Sequence, residues 1–524
     1  MTLADATLAE LQQALAAGQT TASNLVRRYL ERIEAYDRAG PLLNAVRAVN
    51  PEALAIAATL DGTAPSTERP LAGIPILVKD NIATGDLMPT TAGALALAAA
   101  RAVRDATLTA RLRQAGAVIL GKANLTEFAN ILAIDMPAGY SSLGGQVRNP
   151  YFPAVDADGL PLLSPGGSSS GSAAAVAAGL CAAAIGTETS GSLLSPASQN
   201  GLVTVKPTVG LVSRAGILPI AHSQDTAGPL TRCVRDAAIL LNVLAAPDAD
   251  DPATQGQQRP IDYTAGLDAG GLRGARIGMP SDPSDPGNDV YYGRLVPAAH
   301  TVIGQAIATL QAAGAVIVRA NLPTAGWIGG PGTEVKIINR NPRSATLHQP
   351  VRRSLVFVYE LKHDLNAYLT RWLSGTPMRS LADIIAFNAA HAEAALRFGQ
   401  DLFLAAEATV GDLSEPEYHA ARAADLRASR SLGLDAYMDR HRLDAVLFPA
   451  NAGAEIAAKA GYPSVQVPAG FVAGGSGRST PPYPLGLTFT GRAWSEALLL
   501  RLAYAFEQAS RARRPPPELP PLAA

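Results

Sequence analysis

Two serine-rich segments and a few lysines carry the side chains that could perform nucleophilic catalysis. The segments are residues 164–172 and 186–192, and an alanine-rich run lies between them. A serine hydroxyl becomes an effective nucleophile when a neighbouring base removes its proton. A lysine supplies such a base when burial lowers its pKa, because desolvation disfavours the ammonium form. Serines beside a buried lysine would therefore support acyl transfer.

Lys79 is the lysine that the sequence pattern favours for this role. Of the 43 basic residues only six are lysines, and Lys79 directly follows the apolar run 74–78. That position predicts burial rather than a solvated charge. A neutral lysine accepts a proton, whereas an arginine in its place would keep its charge. A structural ion pair between Lys79 and Asp80 explains the same two residues equally well.

The first serine segment has three further interpretations. It could be a flexible turn without chemistry. Glycine-rich loops before a helix also bind anions, so residues 166–171 could hold a phosphate. Finally, residues 167–171 satisfy Gly-x-Ser-x-Gly, the nucleophile elbow of α/β-hydrolases, which would make Ser169 the nucleophile. That motif requires a preceding apolar strand, and residues 163–166 are Leu-Ser-Pro-Gly, so the elbow is the weakest of the three.

The surrounding pattern predicts strands that alternate with helices. An apolar run at 73–78, a helical segment at 106–115 and a second apolar run at 117–120 are typical of a βαβ unit in a mostly parallel sheet. The alternation resumes after residue 275. We expect one large α/β domain over residues 1–524. Further strands are predicted at 275–279, 315–318, 444–448, 464–467 and 487–490, and helices at 172–185, 298–313, 380–409 and 495–510.

Three segments lie outside this alternation of strands and helices. Residues 1–65 predict helices that cover the sheet, beginning with a Thr-x-x-Glu capping box at 7–10. Residues 324–353 have no clean period and predict an insertion or flap, although a plain surface insertion explains them equally well. The tail from residue 515 is rich in proline, which favours an extended chain.

Composition excludes several classes of protein. The net charge is -1, with 43 basic and 44 acidic residues, which argues against a nucleic-acid partner and against electrostatic membrane binding. The two cysteines and the seven scattered histidines form no metal-ligand motif. The first residues lack the pattern of a secretory signal, and the apolar run 173–185 is too short to cross a bilayer. We therefore expect a cytoplasmic protein with no metal and no cofactor.

Several segments in the same order resemble the amidase signature family. The matching blocks cover roughly residues 70–230, and the flanking segments resemble peptide-amidase-like members. The blocks are 73–81, 165–172, 186–192, 201–210 and 223–229. The resemblance implies the amidase signature fold, a mixed twisted β-sheet surrounded by helices, with residues 70–230 as its core.

The resemblance also implies a Ser-cisSer-Lys triad. Ser192 matches the nucleophile, Ser168 the bridging serine in a cis peptide, and Lys79 the base. A hydroxyl both donates and accepts a hydrogen bond, so Ser168 could pass a proton from Ser192 to Lys79. The same relay in reverse would protonate the leaving amine.

The resemblance further implies an oxyanion hole and a substrate pocket. The hole would consist of the main-chain N–H groups of Thr189, Ser190, Gly191 and Ser192. Ser190 stands where many family members have glycine, which matters little for a main-chain donor. The pocket segment of the family matches residues 134–140. Its candidate substrate contacts are Met136, Gly139 and Tyr140, of which Met136 and Tyr140 are explained equally well as ordinary packing residues.

One departure from the family bears on the substrate. Members that act on glutamine carry an arginine two residues after the nucleophile, and this chain has Leu194 there. Without that guanidinium, we expect a neutral, apolar acyl group or a C-terminally amidated peptide.

The sequence thus predicts an amidohydrolase that acts through an acyl-enzyme on Ser192. An esterase or aryl-acylamidase specificity on the same fold, and a non-catalytic binding subunit, are the alternatives. The expected partner is a small-molecule or peptide amide substrate, and the expected assembly is a monomer or homodimer.

Overall fold

The apolar runs of the sequence become strands of one large sheet. The computed structural model describes residues 3–517 and 519, apart from residues 261, 328, 329, 331 and 475–480. In chain order the strands of this part are β1 (Val46–Val49), β2 (Pro75–Lys79), β3 (Arg101–Ala102), β4 (Val118–Ala123), β5 (Tyr140–Ser141), β6 (Gly145–Gln146), β7 (Ala183–Glu188), β8 (Val203–Lys206), β9 (Thr226–Thr231), β10 (Arg276–Met279), β11 (Val316–Arg319), β12 (Glu334–Ile338), β13 (Pro350–Ser354), β14 (Leu373–Ser374), β15 (Ala445–Pro449), β16 (Ser464–Val472) and β17 (Tyr483–Thr490).

Eleven of these strands form a single mixed sheet. Their spatial order is β1-β4-β2-β7-β9-β8-β16-β17-β15-β10-β11. β2 runs parallel to β4 and β7, and β10 runs parallel to β11 and β15, whereas the strands between these two groups are antiparallel. The expected single α/β domain with a mixed sheet is confirmed.

Helices cover this sheet on both faces, which is why its central strands are buried throughout. In the described residues they are α1 (Leu8–Ala16), α2 (Ala22–Arg32), α3 (Ala53–Leu60), α4 (Thr107–Gln114), α5 (Ser170–Ala177), α6 (Leu194–Gln199), α7 (Val234–Leu244), α8 (Pro297–Ala312), α9 (Leu355–Trp372), α10 (Leu381–Ala390), α11 (Ala392–Ala395), α12 (Asp401–Glu407), α13 (Pro416–Ser429), α14 (Asp435–His441), α15 (Ala454–Ala460) and α16 (Glu496–Ser510). No helix among them has the length and apolarity that a bilayer crossing requires.

Two predicted helices differ from the structure. The helix expected at 172–185 ends at Ala177, Gly179 takes a positive φ of 68°, and β7 begins at Ala183. An alanine run has no polar face whose period could separate a buried helix from a buried strand. The helix expected at 380–409 is three shorter helices, α10 to α12, with Gly399 at a φ of 85° before the last of them.

The N-terminal and flap segments each contain structure that the pattern did not indicate. The capping box forms, because the Thr7 hydroxyl accepts from the Glu10 N–H while the Glu10 carboxylate accepts from the Thr7 N–H. The first 65 residues also hold β1, which pairs with β4 at the edge of the sheet. In the flap segment, β12 and β13 form an antiparallel hairpin; residues 328, 329 and 331 of this segment lie outside the described residues, as do 518 and 520–524 of the proline-rich tail.

The topology brings together Lys79 and the second serine segment, which the sequence predicts to be catalytic. Lys79 is the last residue of β2, and Glu188 is the last residue of β7, its parallel neighbour. Parallel strands have their carboxyl ends at the same edge of a sheet, so the residues that follow β7 lie beside Lys79. The two cysteines, Cys181 and Cys233, are free thiols.

Candidate active site

Lys79 and Ser168 are in direct contact inside the protein. The Lys79 ammonium nitrogen lies 2.7 Å from the Ser168 hydroxyl oxygen. Both residues are completely buried. The Gly167–Ser168 peptide bond is cis, and α5 begins two residues later. The strand end therefore supplies the amine and the turn before α5 supplies the hydroxyl.

The other neighbours of Lys79 are uncharged acceptors. Its Nζ lies 3.0 Å from the Thr187 hydroxyl and 3.4 Å from the Thr187 carbonyl oxygen. Burial lowers the pKa of Lys79 to about 7, while the more distant carboxylates of Asp225 and Glu188 raise it. A substantial share of the amine is therefore neutral at neutral pH, which is the form that accepts a proton.

Asp80 points away from this amine, so the ion pair that the sequence left open does not form. Its carboxylate contacts the guanidinium of Arg47 and the hydroxyl of Thr91. Consecutive residues of an extended chain have side chains on opposite faces, which separates Asp80 from Lys79. In the part of the chain that the structure describes, no carboxylate therefore forms an ion pair with the buried Lys79 amine.

The loop that ends at Ser192 is held at both ends by carboxylates. The Thr189 hydroxyl donates to Asp225, and the Leu193 N–H donates to Glu188 at 2.7 Å. Asp225 is buried, and burial raises its pKa to about 6, although its hydrogen bonds oppose the shift. These contacts hold the loop in one conformation, as a preorganised site requires.

The conformation of this loop suits it to an anion. Gly191 has a φ of 82°, in the region that favours glycine. In the described part of the chain, the main-chain N–H groups of residues 189–192 have no protein acceptor. The carbonyl of Ser192 accepts from the Ser169 N–H at 3.2 Å, which brings the loop against the turn that carries Ser168. Within the same described residues, no hydrogen bond joins the Ser168 and Ser192 hydroxyls.

The contacts of the first serine segment fit neither a nucleophile elbow nor a phosphate-binding loop. The buried Ser169 hydroxyl donates to the Thr187 carbonyl at 3.0 Å and accepts from the Thr187 N–H at 3.2 Å. The proton of the Ser169 hydroxyl therefore already forms a hydrogen bond with a main-chain carbonyl, which does not act as a base. A Cβ at Gly166 would lie 2.5 Å from the Cα of Pro196. That glycine permits close packing against α6 and does not open a space for phosphate.

A cleft with a volume of about 250 Å³ opens beside Thr187 and Thr189. Much of its wall is apolar, and the residues that form this part are Ala129, Ala215, Ile217, Leu218, Pro219, Ile220, Ala367, Tyr368 and Trp372. The cationic residues in its lining already have partners: Arg214 pairs with Asp251, His222 with Asp364 and Arg371 with Asp250. Among the described residues, the cleft therefore has no unpaired cation with which to hold a substrate carboxylate.

The three predicted substrate contacts lie elsewhere. Met136, Gly139 and Tyr140, all described by the structure, are not in the lining of the cleft. Met136 is buried in the hydrophobic core, and the Tyr140 ring packs edge-on against Phe398 at 4.8 Å between centroids. The Gly139 N–H donates to the Thr126 hydroxyl. Their role as substrate contacts stays a prediction.

Several residues around the site are not among those that the sequence predicted to be functional. Thr187, Glu188 and Asp225 lie inside the family blocks, and their positions next to the serines are the signal that could have singled them out. Tyr368 and Trp372 on α9 carry no such signal, because they lie far along the chain from every block.

A further cluster lies at the rim of the cleft. One ring nitrogen of His222 and one carboxylate oxygen from each of Glu360 and Asp364 lie within 4.8 Å of one another. The His222 Nδ1 is 3.0 Å from Asp364, and Glu360 also accepts from the Tyr418 hydroxyl at 2.8 Å. These are the contacts of a histidine–carboxylate ion pair. The sequence could not predict it, because His222 is more than a hundred residues from both carboxylates.

Proteins similar to this chain in sequence and fold include amidases. The family model described as Amidase matches residues 24–327. A probable amidase of Arabidopsis thaliana is 37% identical over 521 residues, 98% of this chain and 91% of that protein. The structure of peptide amidase from Stenotrophomonas maltophilia is 43% identical, covers 98% of each chain and has a TM-score of 0.83. An amidase family protein from Bacillus anthracis is 35% identical over 98% of this chain and 92% of that one, with a TM-score of 0.84.

Proposed function

This chain belongs to the amidase family and is a hydrolase that acts on amide bonds; from that premise we propose that it works through an acyl-enzyme on Ser192, with Ser168 and Lys79 as the proton relay. The observation that carries the proposal is the 2.7 Å contact between the buried Lys79 amine and the Ser168 hydroxyl, with no ion-pair partner for Lys79 among the described residues. A buried amine of lowered pKa beside a hydroxyl is the arrangement that a general base needs.

Acylation begins when the Ser192 oxygen attacks the amide carbonyl. The hydroxyl proton of Ser192 passes to Ser168, whose own proton passes to the neutral amine of Lys79. The carbonyl oxygen becomes an oxyanion, and the N–H groups of the loop 189–192 stabilise it. Loss of one such donor typically costs about 3–4 kcal/mol of transition-state stabilisation.

The second half of acylation uses the relay in reverse. The ammonium of Lys79 returns a proton through Ser168 to the amide nitrogen as its bond to carbon breaks, so that ammonia or an amine leaves. Water then attacks the acyl-enzyme and gives its proton to the same relay. The carboxylic acid leaves, and Ser192 regains its hydroxyl.

Three observations support a neutral amide as the substrate. The cations of the cleft are each paired with a carboxylate. Position 194, two residues after Ser192, is a leucine rather than an arginine. The similar structure from Stenotrophomonas maltophilia is named a peptide amidase. We infer that the substrate is a C-terminal peptide amide or an apolar acyl amide, used without a metal or cofactor.

A panel of substrates tests this proposal. Primary amides, peptide amides, anilides and p-nitrophenyl esters are incubated with the wild type and with Ser192→Ala. We expect ammonia release from primary amides by the wild type alone. Hydrolysis of esters or anilides without any primary amide would instead favour the esterase or aryl-acylamidase alternative. Ammonia release by Ser192→Ala at the wild-type rate would overturn the assignment of the nucleophile, and binding without turnover of any substrate would favour a binding subunit.

A further inference from the structure

A histidine and two carboxylates meet at the rim of the cleft, outside the proposed catalytic groups. The Nδ1 atom of His222 lies 3.0 Å from an Asp364 carboxylate oxygen and 3.6 Å from a Glu360 carboxylate oxygen. One such atom from each of the three residues lies within 4.8 Å of the other two. Imidazole nitrogen and carboxylate oxygen are ordinary ligands of Zn²⁺ in proteins. The cluster therefore has the donor set of a zinc site.

The separations of these atoms match those between two ligands of one ion. Zn–N and Zn–O bonds are ~2.0–2.2 Å long, and tetrahedral geometry places two such ligands ~3.4 Å apart. The two separations that involve His222, 3.0 and 3.6 Å, lie on either side of that value. A small movement of the side chains would therefore bring all three atoms within bonding distance of one ion.

An ion pair between His222 and Asp364 accounts for only part of the cluster. The imidazolium has one proton on Nδ1, and the nearer carboxylate, that of Asp364, accepts it. Glu360 is completely buried, and its hydrogen-bond donors in the described part of the chain are the neutral Ser223 N–H and Tyr418 hydroxyl. A buried carboxylate is costly without a cation. Two carboxylates share one imidazole, and a divalent cation would balance their charge.

The neighbouring arginines do not supply this charge. Arg214 forms its ion pair with Asp251, and Arg422 donates to two main-chain carbonyls. Among the described residues, neither guanidinium forms an ion pair with Glu360 or Asp364. The carboxylates of the cluster are therefore available to a cation from solution.

The three side chains are held by ordered elements. Glu360 and Asp364 are four residues apart on α9 and so share one face of the helix, where like charges repel unless a cation lies between them. His222 follows the segment 220–221, whose N–H groups donate to the buried Asp225. The Asp364 carboxylate also accepts from the His222 N–H at 2.8 Å. Hydrogen bonds of this kind orient the ligands of a metal ion.

An unpartnered hydroxyl on the same helix also points to a ligand. Tyr368 lies one turn after Asp364 on α9 and lines the cleft with it, and its buried hydroxyl has no hydrogen-bond partner among the described residues. Long side chains of a helix lean toward its N-terminus, here toward the turn that carries Asp364. Buried hydroxyls are almost always hydrogen-bonded. A water molecule bound to the cation would supply the partner.

We propose that His222, Glu360 and Asp364 form a Zn²⁺ site at the rim of the cleft, with water as the fourth ligand. Neutral His222 binds through Nδ1, each carboxylate binds through one oxygen, and the water hydrogen-bonds to Tyr368. The ion fastens the segment that carries His222 to α9, and both belong to the wall of the cleft. It contacts none of the groups of the proposed relay, so this inference stands independently of the proposed function.

Zinc binding by the untagged protein tests the site directly. After removal of metals with a chelator, calorimetric titration with Zn²⁺ at about pH 7.5, where the imidazole can give up its proton, should show one saturable site. The midpoint of thermal unfolding should rise with Zn²⁺, because an ion that binds the folded state stabilises it. In His222→Gln and Asp364→Asn the affinity should fall tenfold or more, since even residues behind the ligands change metal affinity by about 10–100-fold.

Asp250→Asn is the matched control. Asp250 lines the same cleft, but its carboxylate pairs with Arg104 and Arg371 and is not part of the cluster. Its replacement makes the same chemical change as Asp364→Asn and should leave the Zn²⁺ affinity at the wild-type value. Mg²⁺ should bind more weakly than Zn²⁺, because Mg²⁺ prefers six oxygen ligands.

The outcomes decide the proposal either way. His222 and Asp364 are both partly exposed, so we expect their variants to fold, and a thermal melt without zinc verifies it. Wild-type affinity in both His222→Gln and Asp364→Asn would overturn the site. Absence of Zn²⁺ binding by the wild type, or an equal loss in Asp250→Asn, would overturn it as well.

Discussion

Two buried lysines on neighbouring strands have different surroundings. Lys79 ends β2 and Lys122 lies on β4, and both are fully buried. Val78 is the register partner of Lys122, so Lys79, one residue further along, faces the opposite side of the sheet. Lys79 meets the hydroxyls of Ser168 and Thr187, whereas Lys122 meets a carbonyl, the Thr90 hydroxyl and, at 3.9 Å, the Asp80 carboxylate.

Burial alone therefore does not make a lysine a general base. Burial lowers the pKa of Lys79 to about 7 and that of Lys122 to about 8, in the second case against the opposing charge of Asp80. What differs is the neighbour to which a proton could pass. Lys79 contacts a serine beside a second serine loop, and Lys122 contacts groups that fix a turn. We therefore expect the same substitution to affect catalysis at one site and stability at the other.

Of all the substitutions, removal of the proposed nucleophile, Ser192, should lower activity most. Ser192→Ala should lower kcat for amides by a factor of roughly 10⁴ or more, since the attacking oxygen is lost. A serine-directed fluorophosphonate should label the wild type at Ser192 and leave the variant unlabelled, as peptide mass spectrometry would reveal. Labelling at Ser169 would restore the nucleophile elbow and refute the proposed relay.

The next largest effect should come from the base itself. Lys79→Met and Lys79→Arg should each lower kcat/KM for amides by about 10²–10⁴, because neither residue accepts a proton at neutral pH. The loss should be smaller for p-nitrophenyl esters, whose leaving group needs no proton. Steady-state kinetics on an amide and an ester checks both statements. Near-normal amide hydrolysis by Lys79→Arg would mean that position 79 supplies only positive charge.

The pH dependence of kcat/KM should report the pKa of Lys79. With a pKa of about 7, Lys79 binds a proton as the pH falls below 7, so kcat/KM for an amide should drop about tenfold per unit there and level off above about pH 8. Asp225 and Glu188 are the acidic groups that oppose the shift. The measurement is kcat/KM from pH 5 to 9. The profile of Lys122→Met should keep the same inflection, and a flat wild-type profile would contradict the assignment.

Lys122→Met should affect stability and leave catalysis nearly intact. The change removes a donor to the Ile82 carbonyl and to the Thr90 hydroxyl. Asp80 keeps its contact with Arg47, so we expect a loss of roughly 1–3 kcal/mol in the free energy of unfolding. Urea unfolding measures the loss, and kcat/KM of the folded variant is its control. A hundredfold fall in kcat/KM with unchanged stability would make the two lysines functionally alike.

The smallest effect should come from the hairpin of the flap segment. The turn between β12 and β13 contacts the segment that resembles the family's pocket: Asn341 donates to the Ile134 carbonyl at 2.9 Å, and Ser344 donates to Asp135 at 2.6 Å. Replacing residues 339–349 by a short Gly/Ser linker should therefore raise KM a few-fold. Unchanged KM values over several amides would indicate that the hairpin only covers the surface.

The sequence was sufficient to predict amide hydrolysis because the blocks that resemble the family are local. Lys79 follows its apolar run directly, and each serine segment is a short block with its own recognisable spacing. Strands such as β2, β10 and β17 were also predictable, since short apolar runs between turn residues favour strands. The alanine-rich run was the exception, because uniform apolarity does not distinguish the end of α5 from the start of β7.

Only the tertiary structure decided which groups meet. The contact of Lys79 with Thr187, the pairing of Asp225 with Thr189 and the approach of Tyr368 to the cleft join residues from 36 to more than a hundred positions apart. No local pattern encodes such pairs, because they depend on strand order, register and the face to which each side chain points. The opposite orientations of Lys79 and Asp80 have the same origin. The sequence by itself determined which residues are proposed to move a proton. The pairing of β2 with β7 determined which groups lie within reach of the Lys79 amine, because hydrogen bonds act only over a few ångströms.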